Sequence, residues 1–509
     1  MNCLEKKKSN IINRIWFIPA CFALIKFVFH LPLLPNYGFH HDELYFLACG
    51  NHFSFGYVDH PPLVPWLARF SLELFGHSLI GLRILALISV TSALIIVGIT
   101  VWRMGGRKYA QGLTCLLMLF TPVYLRIANL FCITSFELLV WCLIFLVAVE
   151  IINKSKFYLW IILGILIGIG LLIKFSILFL IFGLLAGMII TPFRKYFKSP
   201  HFYTALAIAV VIFLPNLIWQ IIHGWPTLMF MVNLNKYVMD DISRFQFILG
   251  QFLYINPFFS VMWIAGLIYL FYYRKKKYQI FSWTWISMFL LLLIAKSKIY
   301  YLSSSYPILF AGGGIAVVNW TVNRGKKWIY YIVAGFLFIG GILFAPISVP
   351  LLPIATLDKY VRIVTANKFE NIYEVTGDLR GMFGWEERVY AVSEVYNSLS
   401  ERDKERTAIF ALGYGNAGAI DYFGPEYGLP KAYSVNMTYW MWGYPEDDDD
   451  IFIGVGYSEE TMKSIFEEVS VVQEVNLKNV NPWETPFIVT ICRKPLYSYK
   501  DIWESHRPW

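Results

Sequence analysis

Residues 37–67, YGFHHDELYFLACGNHFSFGYVDHPPLVPWL, follow the first long apolar run of the chain. This stretch contains three carboxylates, Asp42, Glu43 and Asp59, and four histidines among many aromatic residues. Ionisable side chains held at a bilayer surface are energetically costly and usually have a function. We therefore expect a functional site here, with the rest of the chain forming a membrane scaffold around it.

The composition of the 509 residues is that of an integral membrane protein. Hydrophobic residues make up 57% of the chain and charged residues 15%, whereas soluble proteins contain about 25% charged residues. The net charge of +9 comes from short basic clusters between apolar runs, which is the pattern of cytoplasmic loops. The lipid bilayer is thus a predicted partner, and nucleic acid is not.

About eleven runs are long and apolar enough to cross a bilayer, since a spanning helix needs roughly 20 residues. Their approximate limits are 15–34, 80–102, 109–126, 134–152, 157–173, 175–192, 203–222, 247–271, 280–296, 302–320 and 328–346. The first run has no small-residue cleavage site after it and is predicted to remain as a helix. The chain is therefore predicted to be a polytopic α-helical membrane protein.

The basic residues between these runs predict its orientation. Clusters recur at every second connection, and such clusters mark the cytoplasmic side. The N-terminus is then inside, residues 35–79 form an outer loop, and an odd number of spans leaves the tail outside. The clusters are Lys6–Lys8 with Arg14, Arg103 with Arg107 and Lys108, Lys154 with Lys156, Arg194 with Lys195 and Lys198, Arg274–Lys277, and Arg324 with Lys326 and Lys327.

The tail differs in character from the rest of the chain. Three short apolar runs, TAIFALGY (407–414), IFIGVGY (451–457) and PFIVTICR (486–493), are typical of buried strands. Between the last two, SEETMKSIFEEV (458–469) is predicted to be a helix with Ser458 as N-cap. We therefore predict a transmembrane domain over residues 1–348 and an extracytoplasmic α/β domain over 349–509.

The outer loop also contains a second helix start. Residues 61–79 are too short and too charged to span the bilayer, and their spacing of apolar residues predicts an amphipathic helix in the membrane interface. Asp59 and His60 precede this helix, as Asp42 and Glu43 open the previous one. Carboxylates at helix N-termini offset the helix dipole. This structural role accounts for one acidic helix start in the loop, but it accounts less well for a second one.

Isolated cations on the predicted outer side are candidates for binding a phosphate. Lys174 lies between two apolar runs, and Lys296 and Lys298 precede Tyr300 and Tyr301, which are candidates for holding the phosphate together with the lysines. Lysine suits a phosphate as a point charge, although each side chain could instead extend to lipid headgroups. Glu137 lies near the outer end of the fourth run, where an unpaired carboxylate is rare.

A metal ion is an alternative use of the loop histidines. His40, His41 and His60 do not follow a known ligand spacing, so no metal is predicted. The chain also lacks a glycine motif for binding a nucleotide. No cofactor is expected.

These residues together resemble the GT-C type glycosyltransferases that use polyprenyl-phosphate sugars. The resemblance is to glycosyltransferase family 39, which includes the dolichyl-phosphate-mannose protein mannosyltransferases and the lipid A aminoarabinose transferase, and it covers nearly the whole chain. The segments that carry it are the Asp42–Glu43 pair, DHPPL (59–63), KSKIYYLSSSYPILFAGG (296–313), GDLRGMFGWEERV (377–389), YGNAGAIDYFG (414–424) and YWMWGYP (439–445).

The resemblance implies an inverting transfer from an undecaprenyl- or dolichyl-phosphate sugar to a protein hydroxyl, lipid A or another envelope glycan outside the membrane. Loop 35–79 would then be the catalytic loop, with Asp42 as the catalytic carboxylate and Glu43 as a second catalytic residue. Asp59 and Glu137, the latter as the second outer carboxylate, would bind substrate. The aminoarabinose transferase has a lysine where this chain has His60, so a contact of His60 with the donor phosphate stays open. Metal independence is also implied.

Two other functions are compatible with a membrane protein of this composition. A transporter or flippase would show inverted repeats and broken helices near the midplane, and the sequence indicates neither. A non-catalytic protein whose tail binds a polymer would keep its binding after loss of Asp42, whereas a transferase would lose its activity.

Overall fold

The computed structural model describes residues 2–237, 243–445 and 450–508, with the side chains of 2–14 and 234–237 left out. The predicted basic cluster at residues 6–8 therefore lies outside the described side chains. The chain divides into two compact units. We call Met1–Leu34, Leu82–Ile222 and Leu234–Leu351 the helical unit, and Pro35–Gly81, His223–Asn233 and Leu352–Trp509 the mixed unit.

This division differs from the predicted one. The predicted transmembrane domain over 1–348 included the loop at 35–79, whereas the structure groups that loop with the C-terminal residues. The reason is local, because the first helix of the loop packs along a helix of the tail.

Helices make up nearly all the regular structure of the first 350 residues. In chain order they are α1 (Asn2–His30), α2 (His41–Asn51), α3 (Leu63–Phe75), α4 (Leu79–Arg103), α5 (Lys108–Phe120), α6 (Pro122–Arg126), α7 (Ile133–Lys154), α8 (Phe157–Ile173), α9 (Ile177–Ile190), α10 (Pro200–Ile222), α11 (Pro226–Tyr237), α12 (Arg244–Ile255), α13 (Ser260–Lys276), α14 (Gln279–Ile294), α15 (Tyr306–Trp320) and α16 (Lys327–Phe344).

Within the described residues, six helices are long and apolar enough to cross a membrane, or up to eight if two bent pairs each form one span. The apolar helices α8 and α14 are shorter. The chain is thus a multi-pass membrane protein, while the count of about eleven spans stays a prediction.

Two predicted runs are each broken into two helices. Run 109–126 divides into α5 and α6 at Thr121, whose backbone is extended before Pro122. Run 247–271 divides at Asn256, which has a φ of 104° and precedes Pro257, and its two parts meet at 91°. A proline ends the preceding helix because it disfavours the α conformation of the residue before it. The expectation of unbroken helices was wrong here.

Glycines bring α13 and α15 into direct backbone contact. A Cβ added to Gly266 would lie 1.9 Å from the carbonyl oxygen of Leu309, and one added to Gly313 would lie 2.2 Å from that of Met262. Small residues allow this close approach between helices in a membrane, where packing and not hydrophobicity drives association.

The mixed unit continues after residue 352 as a small α/β fold. Its further helices are α17 (Ile354–Val364), α18 (Trp385–Asn397), α19 (Glu401–Lys404), α20 (Gly413–Phe423), α21 (Glu459–Lys463) and α22 (Tyr499–Ser505), and its strands are β1 (Thr407–Ala411), β2 (Ala432–Tyr433), β3 (Ile451–Val455), β4 (Phe466–Val475) and β5 (Phe487–Pro495).

These strands form one sheet in the order β2-β1-β3-β5-β4. Strand β1 is parallel to β2 and β3, whereas β5 is antiparallel to β3 and β4. The three predicted strands are β1, β3 and β5, which are central and mostly buried. Strands β2 and β4 lie at the edges and have no long apolar run to reveal them.

The helix predicted over 458–469 is too long. Ser458 is the N-cap and its side chain accepts the Thr461 N–H, as expected, but α21 ends at Lys463. The following residues belong to β4, whose side chains are largely exposed, and pair with β5. Pairing with a neighbouring strand overrides the weak helical preference of Glu467 and Glu468.

Candidate active site

The N-terminus of α2 places Asp42 and Glu43. His40 is the N-cap with extended backbone, and its Nδ1 accepts the Asp42 N–H at 3.2 Å. Oε2 of Glu43 accepts the His40 N–H in return, at 2.9 Å. This reciprocal capping satisfies backbone donors that a helix start otherwise leaves unpaired. Glu43 is 0% exposed and therefore fixes the start of α2 from within the protein.

Asp42, by contrast, is accessible and held on several sides. Its side chain is 37% exposed. The Tyr414 hydroxyl donates to Oδ1 at 2.8 Å, and Nε2 of His41 lies 3.5 Å from the same oxygen. Nδ1 of His40 lies 3.8 Å from Oδ2. The carboxylate thus has a fixed orientation and an open side.

These neighbours favour the ionised form of Asp42. Burial acts to raise the pKa of the carboxyl, but His41, His40 and the hydrogen bond from Tyr414 outweigh it, and the pKa lies below its ordinary value. Burial also lowers the pKa of His40 from 6.5 to about 4. His40 is therefore neutral near pH 7, which leaves Nδ1 free to accept the Asp42 N–H.

Tyr414 reaches Asp42 because α20 packs closely on α2. Two glycines allow this approach: a Cβ on Gly415 would lie 2.9 Å from Cβ of His41, and one on Gly418 would lie 3.1 Å from the backbone of Leu44. Helix α20 begins at Gly413, directly after β1. Sequence reasoning quoted this segment for its resemblance but did not select Tyr414. Its place just beyond a buried parallel strand was the available signal, because ligand sites form at such strand ends.

Asp59 lies in the same unit and binds a second tyrosine. The Tyr45 hydroxyl donates to Oδ1 of Asp59 at 2.6 Å, and the Thr438 N–H donates to the Tyr45 oxygen at 3.2 Å. Tyr45 comes from α2, and its ring lies 4.7 Å from that of Tyr414. The two acidic helix starts of the loop are therefore joined through α2 and two tyrosines. Neither tyrosine was predicted.

His60 occupies the interior of this unit. It is 1% exposed, its Nδ1 lies 3.0 Å from the Pro61 carbonyl oxygen, and its ring packs edge-on against Tyr45 and Phe46. In this arrangement its ring is enclosed by protein, so contact with a phosphate requires a rearrangement of the loop.

The predicted cations and Glu137 belong to the helical unit. Nζ of Lys174 lies 3.1 Å from Oε2 of Glu137, and the Ser176 hydroxyl donates to the other carboxylate oxygen. Lys174 also lies over the rings of Tyr300 and Tyr301, at 5.1 and 5.3 Å. Glu137 was singled out as an unpaired carboxylate, and the structure instead pairs it.

Lys296 and Lys298 are half-buried and precede Tyr300 and Tyr301 in the sequence. Lys296 has a φ of 48°, and Lys298 precedes the short 3₁₀ helix Ile299–Ser305, which contains both tyrosines. The predicted residues thus form two groups, each described within its own unit. Asp42, Glu43, Asp59 and His60 belong to the mixed unit, and Glu137, Lys174, Lys296, Lys298, Tyr300 and Tyr301 to the helical unit.

One group among the described residues combines potential metal ligands. Ligand atoms of His40, His41 and Asp42 lie within 4.8 Å of one another, and Nε2 of His40 is buried without a hydrogen-bond partner. Two nitrogens on one tetrahedral zinc at ~2.0 Å lie about 3.3 Å apart. Nε2 of His41 and Oδ1 of Asp42 lie 3.5 Å apart, close to this spacing, and the predicted absence of a metal stays a prediction.

Comparison with known proteins gives a family model, one relative and two crystal structures. Residues 59–219 match the family model described as dolichyl-phosphate-mannose-protein mannosyltransferase. The chain is 26% identical over 230 residues to the lipid A galacturonosyltransferase RgtD of Rhizobium johnstonii. The aligned region covers 44% of this chain and 48% of RgtD. It therefore spans about half the length of this curated relative.

Two crystal structures share the fold over nearly the entire length. ArnT from Cupriavidus metallidurans in the apo state has a TM-score of 0.61 at 14% identity, over 93% of this chain and 97% of ArnT. The same protein bound to undecaprenyl phosphate gives 0.58 at 13% identity, over the same shares.

Proposed function

We propose that this chain, whose fold is shared with ArnT, is a GT-C membrane glycosyltransferase that transfers a sugar from a polyprenyl phosphate to a lipid-linked glycan. The single observation that carries this proposal is the arrangement of Asp42, an accessible carboxylate that accepts a hydrogen bond from the Tyr414 hydroxyl and whose pKa lies below its ordinary value. A general base needs such a group within reach of the proton it removes.

In the proposed reaction Asp42 accepts the proton of an acceptor hydroxyl. The acceptor oxygen attacks the anomeric carbon of the donor, the bond from that carbon to the phosphate oxygen breaks, and polyprenyl phosphate leaves with the bonding electrons. A single displacement inverts the anomeric carbon. Glu43, as the buried cap of α2, positions Asp42 and does not contact the substrate.

The donor and acceptor classes rest on the relatives. One ArnT structure is bound to undecaprenyl phosphate, and RgtD is named for lipid A. Lys174, Lys296 and Lys298 are the proposed partners of the donor phosphate, with Lys174 already placed between Glu137 and two tyrosine rings. Positive groups stabilise the negative charge that develops on a leaving phosphate.

The site is proposed to face away from the cytoplasm of a cell membrane. Support comes from the basic residues at every second connection of the chain, which favour an outer position for the loop at 35–79. In transporters the broken helices carry the substrate site near the midplane, whereas the acidic group described above lies on α2 and α20 of the mixed unit.

The test is the substitution Asp42→Asn in purified protein supplied with a polyprenyl-phosphate sugar and a lipid acceptor. The amide keeps the shape of the side chain but cannot accept the proton, and loss of a general base typically lowers the rate about 10²–10⁴-fold. Donor binding should persist, and Asp501→Asn in the C-terminal helix is the matched control. Transfer by Asp42→Asn near the wild-type rate would refute the assignment.

A further inference from the structure

The mixed unit contains a cavity at the end of α2 opposite Asp42. Its volume is about 290 Å³, at the lower limit of the ~300–1,000 Å³ of typical small-ligand sites. Its walls come from the last turn of α2, from α20 and β2, and from the 3₁₀ helix Met437–Trp442. At ~1.5 Å per residue, it lies roughly 14 Å from Asp42 along the axis of α2.

Aromatic rings form one wall of this cavity. The rings of His52 and Trp442 are stacked, with centroids 3.9 Å apart and planes inclined by 13°, and the Tyr439 ring packs against Trp442 at 4.4 Å. Nδ1 of His52 lies 3.1 Å from the Ala48 carbonyl oxygen, so this nitrogen donates and the ring orientation is fixed. Aromatic faces carry negative charge and attract the polarised C–H groups on the face of a sugar ring.

A fixed carboxyl group lies beside this wall. Oδ1 of Asp421 accepts the Ala432 N–H at 2.9 Å, and Oδ2 accepts the Tyr439 hydroxyl at 2.7 Å. Each carboxylate oxygen has a further acceptor position, and a sugar hydroxyl can donate to it. Burial raises the pKa of Asp421, while the hydrogen bonds from Ala432 and Tyr439 favour its ionised form.

A lysine, Lys431, lies at the rim of the cavity. Lys431 is exposed, and its Nζ lies 4.9 Å from the ring centroid of Tyr433, with both residues lining the cavity. The cavity thus combines aromatic rings, an oriented acceptor and a positive charge. This set matches a saccharide that carries an anionic substituent.

We propose that this cavity is an acceptor subsite that binds an acidic saccharide unit some distance from the reacting hydroxyl. The inference rests on the proposed transfer reaction, because it assigns the cavity to the acceptor and not to the donor. The distance along α2 implies an acceptor longer than one sugar ring, with one unit in the cavity and another at Asp42.

Binding to the full-length protein in nanodiscs tests this inference with N-acetylglucosamine 1-phosphate as probe and N-acetylglucosamine as its uncharged counterpart. Saturation-transfer NMR reports both. Trp442→Ala should weaken binding of the phosphorylated probe about three- to tenfold, the range expected for one aromatic contact. The matched control is Trp483→Ala, because Trp483 is 70% exposed and lies outside the cavity.

Lys431→Gln is a second variant, at an exposed position where a substitution leaves the packed interior unchanged. It should weaken binding of the phosphorylated probe about two- to fivefold and leave the uncharged sugar unaffected. In transfer assays Trp442→Ala should raise the KM of the acceptor and leave the KM of the donor unchanged.

The inference is overturned if the probe does not bind the wild-type protein, or if both cavity variants bind it as the wild type does. A rise in the donor KM alone would assign the cavity to the donor and would also overturn it. These outcomes are distinct from failure of the proposed function, which is read from transfer by Asp42→Asn and not from binding of the probe.

Discussion

The hydrogen bond from Tyr414 to Asp42 gives the sharpest prediction. Tyr414→Phe removes one hydroxyl and keeps the ring, which packs against Tyr45 at 4.7 Å. A hydrogen bond to a charged group contributes about 1.5–3 kcal/mol. Because this bond stabilises the carboxylate before it takes up a proton, its free energy does not convert directly into rate. What Tyr414→Phe loses is the fixed orientation of Asp42, which is 37% exposed, and we expect kcat to fall roughly 5–30-fold.

The pH dependence should change in a defined direction. Tyr414 is one of the groups that lower the pKa of Asp42, so its loss raises that pKa. A base is inactive once protonated, and activity falls as pH decreases through its pKa. The acidic limb of the kcat profile should therefore move to higher pH in Tyr414→Phe, while the alkaline limb stays in place.

The assay is transfer from a polyprenyl-phosphate sugar across a range of pH by purified variants. Tyr422→Phe is the matched control, because Tyr422 lies on the same helix and packs its ring on Phe39. A wild-type kcat together with an unmoved acidic limb in Tyr414→Phe would refute the claim that this bond prepares Asp42 as the base.

Three further predictions concern stability and metal dependence. His40 has a pKa of about 4 in the folded protein, against an ordinary 6.5. The unfolded chain therefore binds the proton more readily, and the stability of the protein should fall as pH decreases from 6.5 toward 4. In scanning fluorimetry the Tm of His40→Asn should fall less than that of the wild type over this range, and an equal fall would contradict the assignment. Gly266→Val should lower Tm by several degrees, since its Cβ would lie 1.9 Å from a carbonyl oxygen, whereas Gly335→Val, with no atom within 4 Å of its Cβ, should not. Treatment with a chelator should leave the transfer rate unchanged, and a loss restored by zinc would instead indicate an ion among the three potential ligands at the start of α2.

The acidic residues of the candidate site could be selected from the sequence because their signal is local. Asp42 and Asp59 stand out as charged residues at helix starts in an apolar chain. Tyr414 and Thr438 could not be found in this way, because they approach the loop from hundreds of residues away and tyrosines are common in this sequence. Their contacts depend on the packing of α20 against α2, which periodicity does not reveal.

Prediction of the membrane helices from sequence has the same limit. The spans α1, α4, α7 and α10 follow from hydropathy alone, whereas the break at Asn256 depends on one backbone conformation before a proline. In the sequence, Glu137 has the pattern of an isolated buried acid. Its pairing with Lys174 arises because the segment after α8 packs against the start of α7. Sequence indicates which residues are costly to bury, but not which partner offsets the cost.

The pairing of Tyr414 with Asp42 joins positions 372 residues apart. The ribosome makes the N-terminal end of a protein first, so Asp42 leaves it long before its partner exists. An incomplete chain can insert its first helices in the membrane, but it lacks the hydroxyl that orients the base. The proposed transfer therefore requires the last third of the protein to be made and folded, and a truncated product would be inserted in the membrane without catalysing it.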